Sequence, residues 1–416
     1  MTNTFRLDTK ETFLILGGGI AAVSAALAIR ERNATAEIFL SEEENSLPYS
    51  RPMLTKTAFR GFSPTNYDLY DEDFYKRQRI TVKTNCAVTS IDAQKKQVAF
   101  SDGSTMNYDK CIYSLGAECF VPPINGSDKE NVITVRRKSD IEKIRRMLLK
   151  SKKAVVIGGG VIGLEISWEL KKAGLEVVVI ELANVLMERL LDEETARFLE
   201  KQILKTGIEV VTGAKITGIT GDEKAKGVLL DDGNEYDGDF IILSTGIKAN
   251  TQIAKDAKIE VARAVIVNER METNLSDIYA CGDCAEYNGN NYGTWGQAQE
   301  QGEVAGANAA GDNLHYVIVP SPIMMNGAGS NLFSIGDMGK NPDSEYEVLR
   351  YENKQGKNIP LVNPRHDIDD NMETYYFAGG KIVGAALVGD LSKRKKVSDA
   401  IDNGQSLEKF KSGVAE

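Results

Sequence analysis

The chain has 416 residues, 42% of them hydrophobic, and a formal net charge of −10 at pH 7, which fits two or three domains with substantial cores. The negative charge argues against a general role in nucleic-acid binding. No run approaches the ~20 apolar residues of a membrane span, and the polar stretch 1–11 predicts no signal peptide. The five scattered cysteines indicate reduced thiols and a cytoplasmic location.

The first predicted element is a buried strand over residues 13–16, which leads through a glycine-rich turn into a helix. A continuously apolar run is typical of a parallel strand that is covered on both faces. In a dinucleotide fingerprint Gly17 would make the tight turn and Gly19 would let the backbone approach a pyrophosphate. Ala22 stands at the third glycine position and still permits close packing of helix on strand. The turn therefore predicts a pyrophosphate at the N-terminus of this helix.

A second strand, residues 37–40, runs into the acidic turn 41–44. The carboxylate that bonds a ribose hydroxyl lies roughly 20 residues after the glycines in this kind of fold. We predict that Glu42 has this role, and that Glu43 and Glu44 form a solvated acidic turn.

The same pattern returns in the middle of the chain, with a strand over 154–157, three glycines, a helix and a strand that ends at Glu181. A carboxylate there accepts a hydrogen bond from a ribose 2′-hydroxyl and repels a 2′-phosphate, and residues 182–185 contain no cation, so NAD(H) is favoured over NADP(H). Two complete fingerprints predict two dinucleotides and a redox enzyme that relays electrons between them. The residues of the second turn predicted to bind NAD(H) are Gly158, Gly160, Ile162 and Gly163.

After each fingerprint an Asp-Gly pair, at Asp102 and Asp232, predicts a β-hairpin. An apolar strand follows in both cases and leads to a glycine, Gly116 or Gly246.

In this order of elements the chain resembles the two-dinucleotide flavoprotein reductases of the pyridine nucleotide–disulfide oxidoreductase superfamily. Residues 47–56 (Leu-Pro-Tyr-Ser-Arg-Pro-Met-Leu-Thr-Lys), 271–283 and 319–323 are similar to NADH:rubredoxin oxidoreductase-like and ferredoxin reductase-like flavoproteins. The resemblance implies an α/β fold with two Rossmann-like, three-layer ββα dinucleotide-binding domains and a C-terminal α+β domain. The implied domains are a discontinuous FAD domain, 1–120 and 246–318, an inserted NAD(H) domain, 121–245, and an interface domain, 319–416.

The resemblance also implies roles for single residues. Arg51 would lie near the adenosine and phosphates of FAD, where its guanidinium suits phosphate oxygens. Lys56 would lie near the flavin ring, paired with Glu165, and would stabilise negative charge as hydride arrives; the alternatives are a solvated lysine and a polar helix face. Asp283 would hold a ribityl hydroxyl of FAD. Further cofactor contacts are implied for Gly116 and Ala298 on the FAD side and for Gly246 on the NAD side.

The segment 295–302 resembles a helix whose N-terminus points at the flavin, where the helix dipole favours the anionic reduced form. Trp295 either borders the flavin or packs as an ordinary aromatic side chain.

Residues 41–60 contain no cysteine, whereas the disulfide reductases of the superfamily carry a cysteine pair there. Electrons would therefore leave the flavin directly. Cys281 and Cys284 have the spacing of a redox pair or half a metal site, but small packing residues around Asp283 are the favoured interpretation. His315 and His366 are too few to suggest a metal, and none is predicted.

Two basic runs, 136–153 and 393–396, either steer an acidic iron–sulfur protein to the enzyme or are solvated helix faces. Residues 350–370 are expected to form a long surface loop. Three functions remain open. The first is an NADH-dependent reductase of a rubredoxin- or ferredoxin-type carrier. The second is an FAD- and NAD(H)-binding subunit of a larger iron–sulfur or metalloenzyme complex, and the third is an NADH oxidase or redox-sensing flavoprotein. NADH and an acidic iron–sulfur protein are the expected partners, in a homodimer or a heteromeric complex.

Overall fold

The computed structural model describes residues 10–56, 67–353 and 370–414. His366 and most of the predicted loop 350–370 lie outside these residues. The chain divides into two compact units. The first comprises Met1–Met53, Phe62–Glu118 and Ile247–Val319, and the second comprises Leu54–Gly61, Cys119–Gly246 and Pro320–Glu416.

The strands of the described residues, in chain order, are β1 Thr12–Leu16, β2 Glu37–Ser41, β3 Ile80–Lys83, β4 Val88–Asp92, β5 Gln97–Phe100, β6 Thr105–Asn107, β7 Lys110–Tyr113, β8 Ala117–Cys119, β9 Val132–Thr134, β10 Lys153–Ile157, β11 Glu176–Ile180, β12 Glu209–Val211, β13 Ile216–Thr220, β14 Gly227–Leu230, β15 Glu235–Asp237, β16 Phe240–Leu243, β17 Ile247–Ala249, β18 Val265–Val267, β19 Ile278–Ala280, β20 Ala285–Tyr287, β21 Ile323–Gly327, β22 Ser330–Gly336, β23 Tyr346–Asn353, β24 Asn371–Ala378 and β25 Lys381–Val388. The helices are α1 Ile20–Arg32, α2 Met53–Lys56, α3 Glu72–Arg77, α4 Lys138–Leu148, α5 Val161–Lys172, α6 Glu193–Lys205, α7 Gln252–Asp256, α8 Trp295–Ala309, α9 Arg394–Asp402 and α10 Leu407–Val414.

The first unit is built on a five-stranded parallel sheet in the order β19-β7-β1-β2-β3. Its central strand β1 is buried, as a continuously apolar strand requires. Helix α1 packs closely on α8, because Gly302 and Gly306 lie against the backbone carbonyls of Ala21 and Ala25. The three-stranded antiparallel sheet β4-β5-β6 adds the third layer, and its last two strands form the predicted hairpin.

The second unit repeats this plan. A five-stranded parallel sheet has the order β12-β11-β10-β16-β9, so the fingerprint strand β10 is again central. The antiparallel sheet β13-β14-β15 supplies the second predicted hairpin. The repeat confirms the predicted α/β class with two Rossmann-like ββα folds. A ligand site is expected where the strand order reverses in such a sheet.

The C-terminal part of the second unit is a five-stranded antiparallel sheet, β21-β22-β25-β24-β23, covered by α9 and α10. Its core contains Tyr375, Phe377 and Phe410, whose rings pack edge to face. Asp192, the N-cap of α6, joins this sheet to the preceding fold, since it accepts a hydrogen bond from the Tyr376 hydroxyl at 2.5 Å and pairs with Arg350.

In the part of the chain that the structure describes, no helix has both the length and the apolar character needed to cross a membrane. Among those same residues, no three His, Cys, Asp or Glu side chains come together in a group that could hold a metal ion.

Candidate functional site

The first glycine turn lies at the carboxyl end of β1. Gly17 has φ +110°, and a Cβ there would collide with the carbonyl of Ser114, just after the neighbouring strand β7. Gly19 is the N-cap of α1, makes no side-chain capping bond, and faces open space, since a Cβ there would meet nothing within 4 Å. The first amides of α1 are thus open to an anion. Ala22 is completely buried, as its packing role requires.

Glu42 lies directly against this turn. Its side chain is 4% exposed, and a Cβ on Gly18 would overlap its Oε2 atom. The Glu42 Oε1 atom accepts a hydrogen bond of 2.8 Å from the Glu44 backbone N–H. Burial raises the pKa of the Glu42 carboxyl, while that amide and Arg51 oppose the rise. A buried carboxylate of this kind favours a ligand that donates hydrogen bonds, such as a ribose hydroxyl.

Arg51 belongs to the same unit and has partners that the sequence did not indicate. Its guanidinium pairs with Glu44 at 3.0 Å and lies over the Tyr49 ring, 5.2 Å from the centroid. The Tyr49 hydroxyl also donates to Glu44, at 2.9 Å. The expectation that Glu44 lies in a solvated turn is therefore wrong, because its carboxylate is 13% exposed and paired with a cation.

Gly282 and Asp283 complete this group within the first unit. The Gly282 N–H donates to Gln301 Oε1 at 2.9 Å, and a Cβ on Gly282 would meet Ala21 of α1 at 2.9 Å and Ala298 of α8 at 3.8 Å. Asp283 is half-buried in a single 3₁₀ turn that follows β19. The structure thus brings Asp283 and Ala298 next to the helix that begins at the first glycine turn. Trp295 is half-buried at the first position of α8.

The second glycine turn has the same construction at the end of β10. Gly158 has φ +110°, and a Cβ there would strike the carbonyl of Ser244. Gly163 packs against the Gly158 carbonyl, so a side chain at this third position would separate helix from strand. Gly160 caps α5 without a side-chain bond and faces open space, and Ile162 in the first turn is 39% exposed.

Glu181 occupies the position in this second fold that Glu42 has in the first. Its Oε2 atom accepts from the Gly159 N–H at 2.6 Å, and its Oε1 atom accepts from the Ala183 N–H at 2.8 Å. Leu182, the next residue, is 71% exposed. These contacts fix the carboxylate beside the glycine turn, where the fingerprint of this fold expects an acid, and Leu182 exposes an apolar side chain next to it.

Gly116 and Gly246 have equivalent places in the two folds, shortly after β7 and β16. Gly116 has φ +65° and accepts a backbone hydrogen bond from Asn250, and Gly246 has φ +100° and accepts one from Phe120, each 2.9 Å long. Positive φ explains why glycine stands at both positions.

Glu165 is held in the second unit by a residue that sequence reasoning missed. The hydroxyl of Thr55 donates to Glu165 Oε2, and both side chains are buried, at 5% and 4% exposure. Lys56, the next residue of α2, acts on Glu165 through space, and its side chain is half-buried. Burial raises the pKa of the Glu165 carboxyl, opposed by the Thr55 hydroxyl, by Lys56 and by the nearby Asn326 backbone amide. Thr55 could have been noticed only as the neighbour of Lys56.

The cysteines Cys281 and Cys284 are completely buried. The Cys284 thiol donates to the Cys281 carbonyl at 3.3 Å, and burial raises its pKa to about 12. Burial raises the pKa of Cys281 well above the usual value as well. Thiols in this state are protonated and poorly nucleophilic, which supports the packing interpretation.

The second basic run forms part of a cleft in the C-terminal region. Lys395, Lys396 and Lys409 line this cleft, whose volume is about 750 Å³. Lys393, which does not line the cleft, pairs with Glu373 at 2.7 Å. The first basic run lies largely on α4, where Arg145 is exposed and Arg146 lies beside it.

Two glycine cradles, each with an uncapped helix N-terminus and an adjacent carboxylate, define a protein that binds two dinucleotides. The chain matches the model of the pyridine nucleotide-disulphide oxidoreductase family over residues 11–302. The chain therefore belongs to this family.

Similar proteins agree with this assignment. The NADH oxidase of Methanocaldococcus jannaschii is 32% identical over 97% of this chain and 92% of its own. The NADH-rubredoxin oxidoreductase of Clostridium acetobutylicum is 30% identical over 96% of each chain. Among solved structures, the NAD-dependent persulfide reductase from A. fulgidus has a TM-score of 0.85 at 28% identity, covering 96% of this chain and 78% of that one. The chain is an NAD(H)-dependent flavin oxidoreductase, and the predicted cofactors, FAD and NAD(H), are those of its family.

Proposed function

We propose that the protein is an NADH-dependent reductase that passes electrons through FAD to an iron–sulfur carrier of the rubredoxin or ferredoxin type. The observation that carries the proposal is the placement of the thiols. Residues 41–60 contain none, and Cys281 and Cys284 are completely buried, which raises the pKa of each thiol. Electrons that arrive from NADH then have no thiol relay and leave for an external acceptor. The similarity to a rubredoxin-reducing protein supports a carrier as that acceptor.

The residues around the two turns fit the two cofactors. We assign the first turn to FAD because it lies beside Asp283 and α8 as well as Arg51 and Glu42. This set suits a large ligand with a pyrophosphate, a ribose and a ribityl chain. We assign the second turn to NAD(H), with Glu181 as the ribose acceptor. The FAD-binding residues are Gly17, Gly19, Ala22, Glu42, Arg51, Lys56, Gly116, Asp283 and Ala298, and the NAD(H)-binding residues are Gly158, Gly160, Ile162, Gly163, Glu181 and Gly246. This assignment makes 1–120 with 246–318 the FAD domain and 121–245 the NAD(H) domain.

Bound FAD would supply the exchange between a two-electron hydride donor and a one-electron acceptor. The chain's own residues orient the two cofactors and stabilise the charge of the reduced flavin. The amides of α1 and α5 bind pyrophosphates, and Glu42 and Glu181 orient riboses. Lys56 provides positive charge for the reduced flavin, and Glu165 lies close enough to interact electrostatically with that lysine.

The acceptor is an acidic protein that binds the cleft lined by Lys395, Lys396 and Lys409. Charge complementarity supports this partner, since the cleft gathers three lysines and one carboxylate, Asp399, on a chain whose net charge is −10. Free cysteines in the described residues fit a reducing compartment such as the cytoplasm.

The test is an anaerobic assay of the FAD-loaded protein with NADH and a purified rubredoxin or ferredoxin. We expect rapid reduction of the carrier, much faster with NADH than with NADPH. A holoenzyme that NADH reduces, but that no iron–sulfur protein reoxidises, would contradict the proposal.

A second function, NADH oxidase, is favoured by the similarity to the Methanocaldococcus jannaschii protein. It predicts oxygen consumption that outpaces carrier reduction when both acceptors are present. The two functions are separated by repeating the assay in air-saturated buffer with the carrier added.

A further inference from the structure

A neutral hydroxyl is the direct partner of the buried carboxylate of Glu165. Thr55 lies on the short helix α2 and Glu165 on α5, which are 110 residues apart in the chain. The two side chains are 5% and 4% exposed, so water does not compete for the bond. An ionised carboxylate in such a place requires hydrogen bonds to stay charged.

Helix α5, which carries Glu165, packs against strand β21. On its own helix, Trp168 lies one turn further on, with the Lys172 ammonium 5.8 Å from the ring centroid. From β21, Gly327 lies against the same tryptophan, where a Cβ would approach Trp168 Cδ1 to 2.7 Å. The charged groups that act on Glu165 are Lys56 from α2 and Glu169 from α5, while β21 contributes the Asn326 amide.

The other oxygen, Glu165 Oε1, has no hydrogen-bond partner among the described residues. Among the described residues the Thr55 hydroxyl is therefore the side-chain donor to this carboxylate, with the Asn326 backbone amide nearby. Lys56 follows Thr55 directly, so the same hydrogen bond fixes the Lys56-bearing segment to α5.

We propose that Thr55 is a positioning residue that anchors the Glu165 carboxylate by a hydrogen bond and ties helix α2, which carries Lys56, to α5, leaving the Lys56 ammonium available to the flavin. The proposal rests on the proposed function, in which Lys56 stabilises the reduced flavin. Thr55 acts through Glu165 and is assigned no contact with the substrate or a reacting atom.

Removal of the hydroxyl has a defined consequence. Burial already raises the pKa of Glu165, and the Thr55 hydrogen bond opposes that rise. Without the hydroxyl the carboxyl takes up a proton at higher pH, and the negative charge that acts on Lys56 is then lost.

The experiment compares FAD-loaded Thr55→Val and Thr55→Ser with the wild type by stopped-flow reduction with NADH across pH. Valine keeps the size of the side chain and removes the donor, whereas serine keeps the donor. For Thr55→Val we expect the acid limb of the pH–rate profile to move to higher pH. The rate of flavin reduction at neutral pH should fall about tenfold, the magnitude expected for the loss of one hydrogen bond to a charged group. Thr55→Ser should keep the wild-type midpoint of the acid limb of the pH–rate profile.

A second measurement follows Glu165 directly. Infrared difference spectra across pH should show a carboxylic-acid carbonyl band that is absent in Glu165→Gln and that appears at higher pH in Thr55→Val than in the wild type. Thr195→Val is the matched control, since Thr195 is also buried and hydrogen-bonded, to Thr374 at 3.0 Å. If Thr55→Val does not fold, Thr55→Ala is used in its place.

The proposal is overturned if Thr55→Val lowers the rate equally at every pH, or if its infrared midpoint equals that of the wild type. If NADH does not reduce the wild-type protein, the proposed function is contradicted instead. The infrared titration would still decide the role of Thr55.

Discussion

The carboxylate of Glu181 accepts a 2.6 Å hydrogen bond from the backbone N–H of Gly159, the middle glycine of the second turn. The first fold has an equivalent pair, since the Glu42 carboxylate leaves no space for a side chain on Gly18. In the second fold the acid thus supports the glycine turn, and in the first fold it lies directly against the turn, so the carboxylates proposed to bind ribose also shape the local backbone. Changes at the acid should accordingly affect both cofactor selectivity and the local backbone.

Glu181→Ala should narrow the preference for NADH over NADPH by on the order of tenfold or more, because a hydrogen bond to a charged group contributes about 1.5–3 kcal/mol. The measurement is the rate of flavin reduction by each nucleotide at several concentrations. Glu176→Ala is the control, because its exposed side chain lies on the same strand, β11. Equal rates with NADH and NADPH in the wild type would show that Glu181 has been given the wrong role.

Gly18→Ala should reduce the FAD content of the purified protein. Its Cβ would overlap the Glu42 carboxylate, and overpacking of this kind costs roughly 1–3 kcal/mol. FAD per chain is measured after denaturation, and the apparent thermal midpoint is measured with and without added FAD. Gly218→Ala is the control, since its Cβ would meet nothing closer than 3.9 Å. A variant with full FAD content would mean that the Glu42 side chain moves aside without cost.

The parts of the site that the sequence predicted are those carried by local pattern. Gly17, Gly158 and Glu181 each follow a buried strand at fixed spacing, and the structure places each where that spacing requires. The Thr55–Glu165 bond joins residues 110 positions apart, so no periodicity signals it. The pairing of Glu44 with Arg51 was missed for another reason: an acidic run is most simply interpreted as solvated, and only tertiary packing shows which carboxylate is paired.

Blocking thiols under native conditions should leave reduction by NADH unchanged, and full reduction should take two electrons per chain. The physical reason is the burial of Cys281 and Cys284 together with the raised pKa of each thiol. The measurements are an anaerobic NADH titration and a dye-reduction assay after alkylation. Cys119, which is partly exposed, should react first. If alkylation abolishes activity while the protein keeps its full FAD content, Cys281 and Cys284 would have to be considered redox groups.

Asp192→Asn should lower the apparent midpoint of thermal unfolding at neutral pH. In acid the variant and the wild type should unfold at the same temperature. Burial alone would raise the pKa of Asp192, but the Tyr376 hydroxyl, the Thr195 donors and Arg350 hold it below the usual value. A depressed pKa means that the stabilisation is complete above the unfolded value of about 3.9 and disappears as pH falls through the folded value. We expect a loss of about 1–2 kcal/mol at pH 7, measured by thermal unfolding from pH 7 to acid, with the exposed Asp343→Asn as control. If the midpoints of thermal unfolding of Asp192→Asn and the wild type differ by the same amount at every pH, the charge of Asp192 does not explain the loss of stability.

Neutralising Lys395, Lys396 and Lys409 to glutamine should slow association with an acidic iron–sulfur protein and flatten the salt dependence of that rate. These cations line one cleft, and attraction between exposed charges weakens as salt screens them. Reduction of the flavin by NADH should not change, and Lys393→Gln should have a smaller effect because Lys393 does not line this cleft. If the triple variant transfers electrons as fast as the wild type, the basic face of α4 is the next surface to neutralise. If neither surface matters and oxygen outcompetes every iron–sulfur protein, the carrier-reductase function is wrong and the oxidase function takes its place.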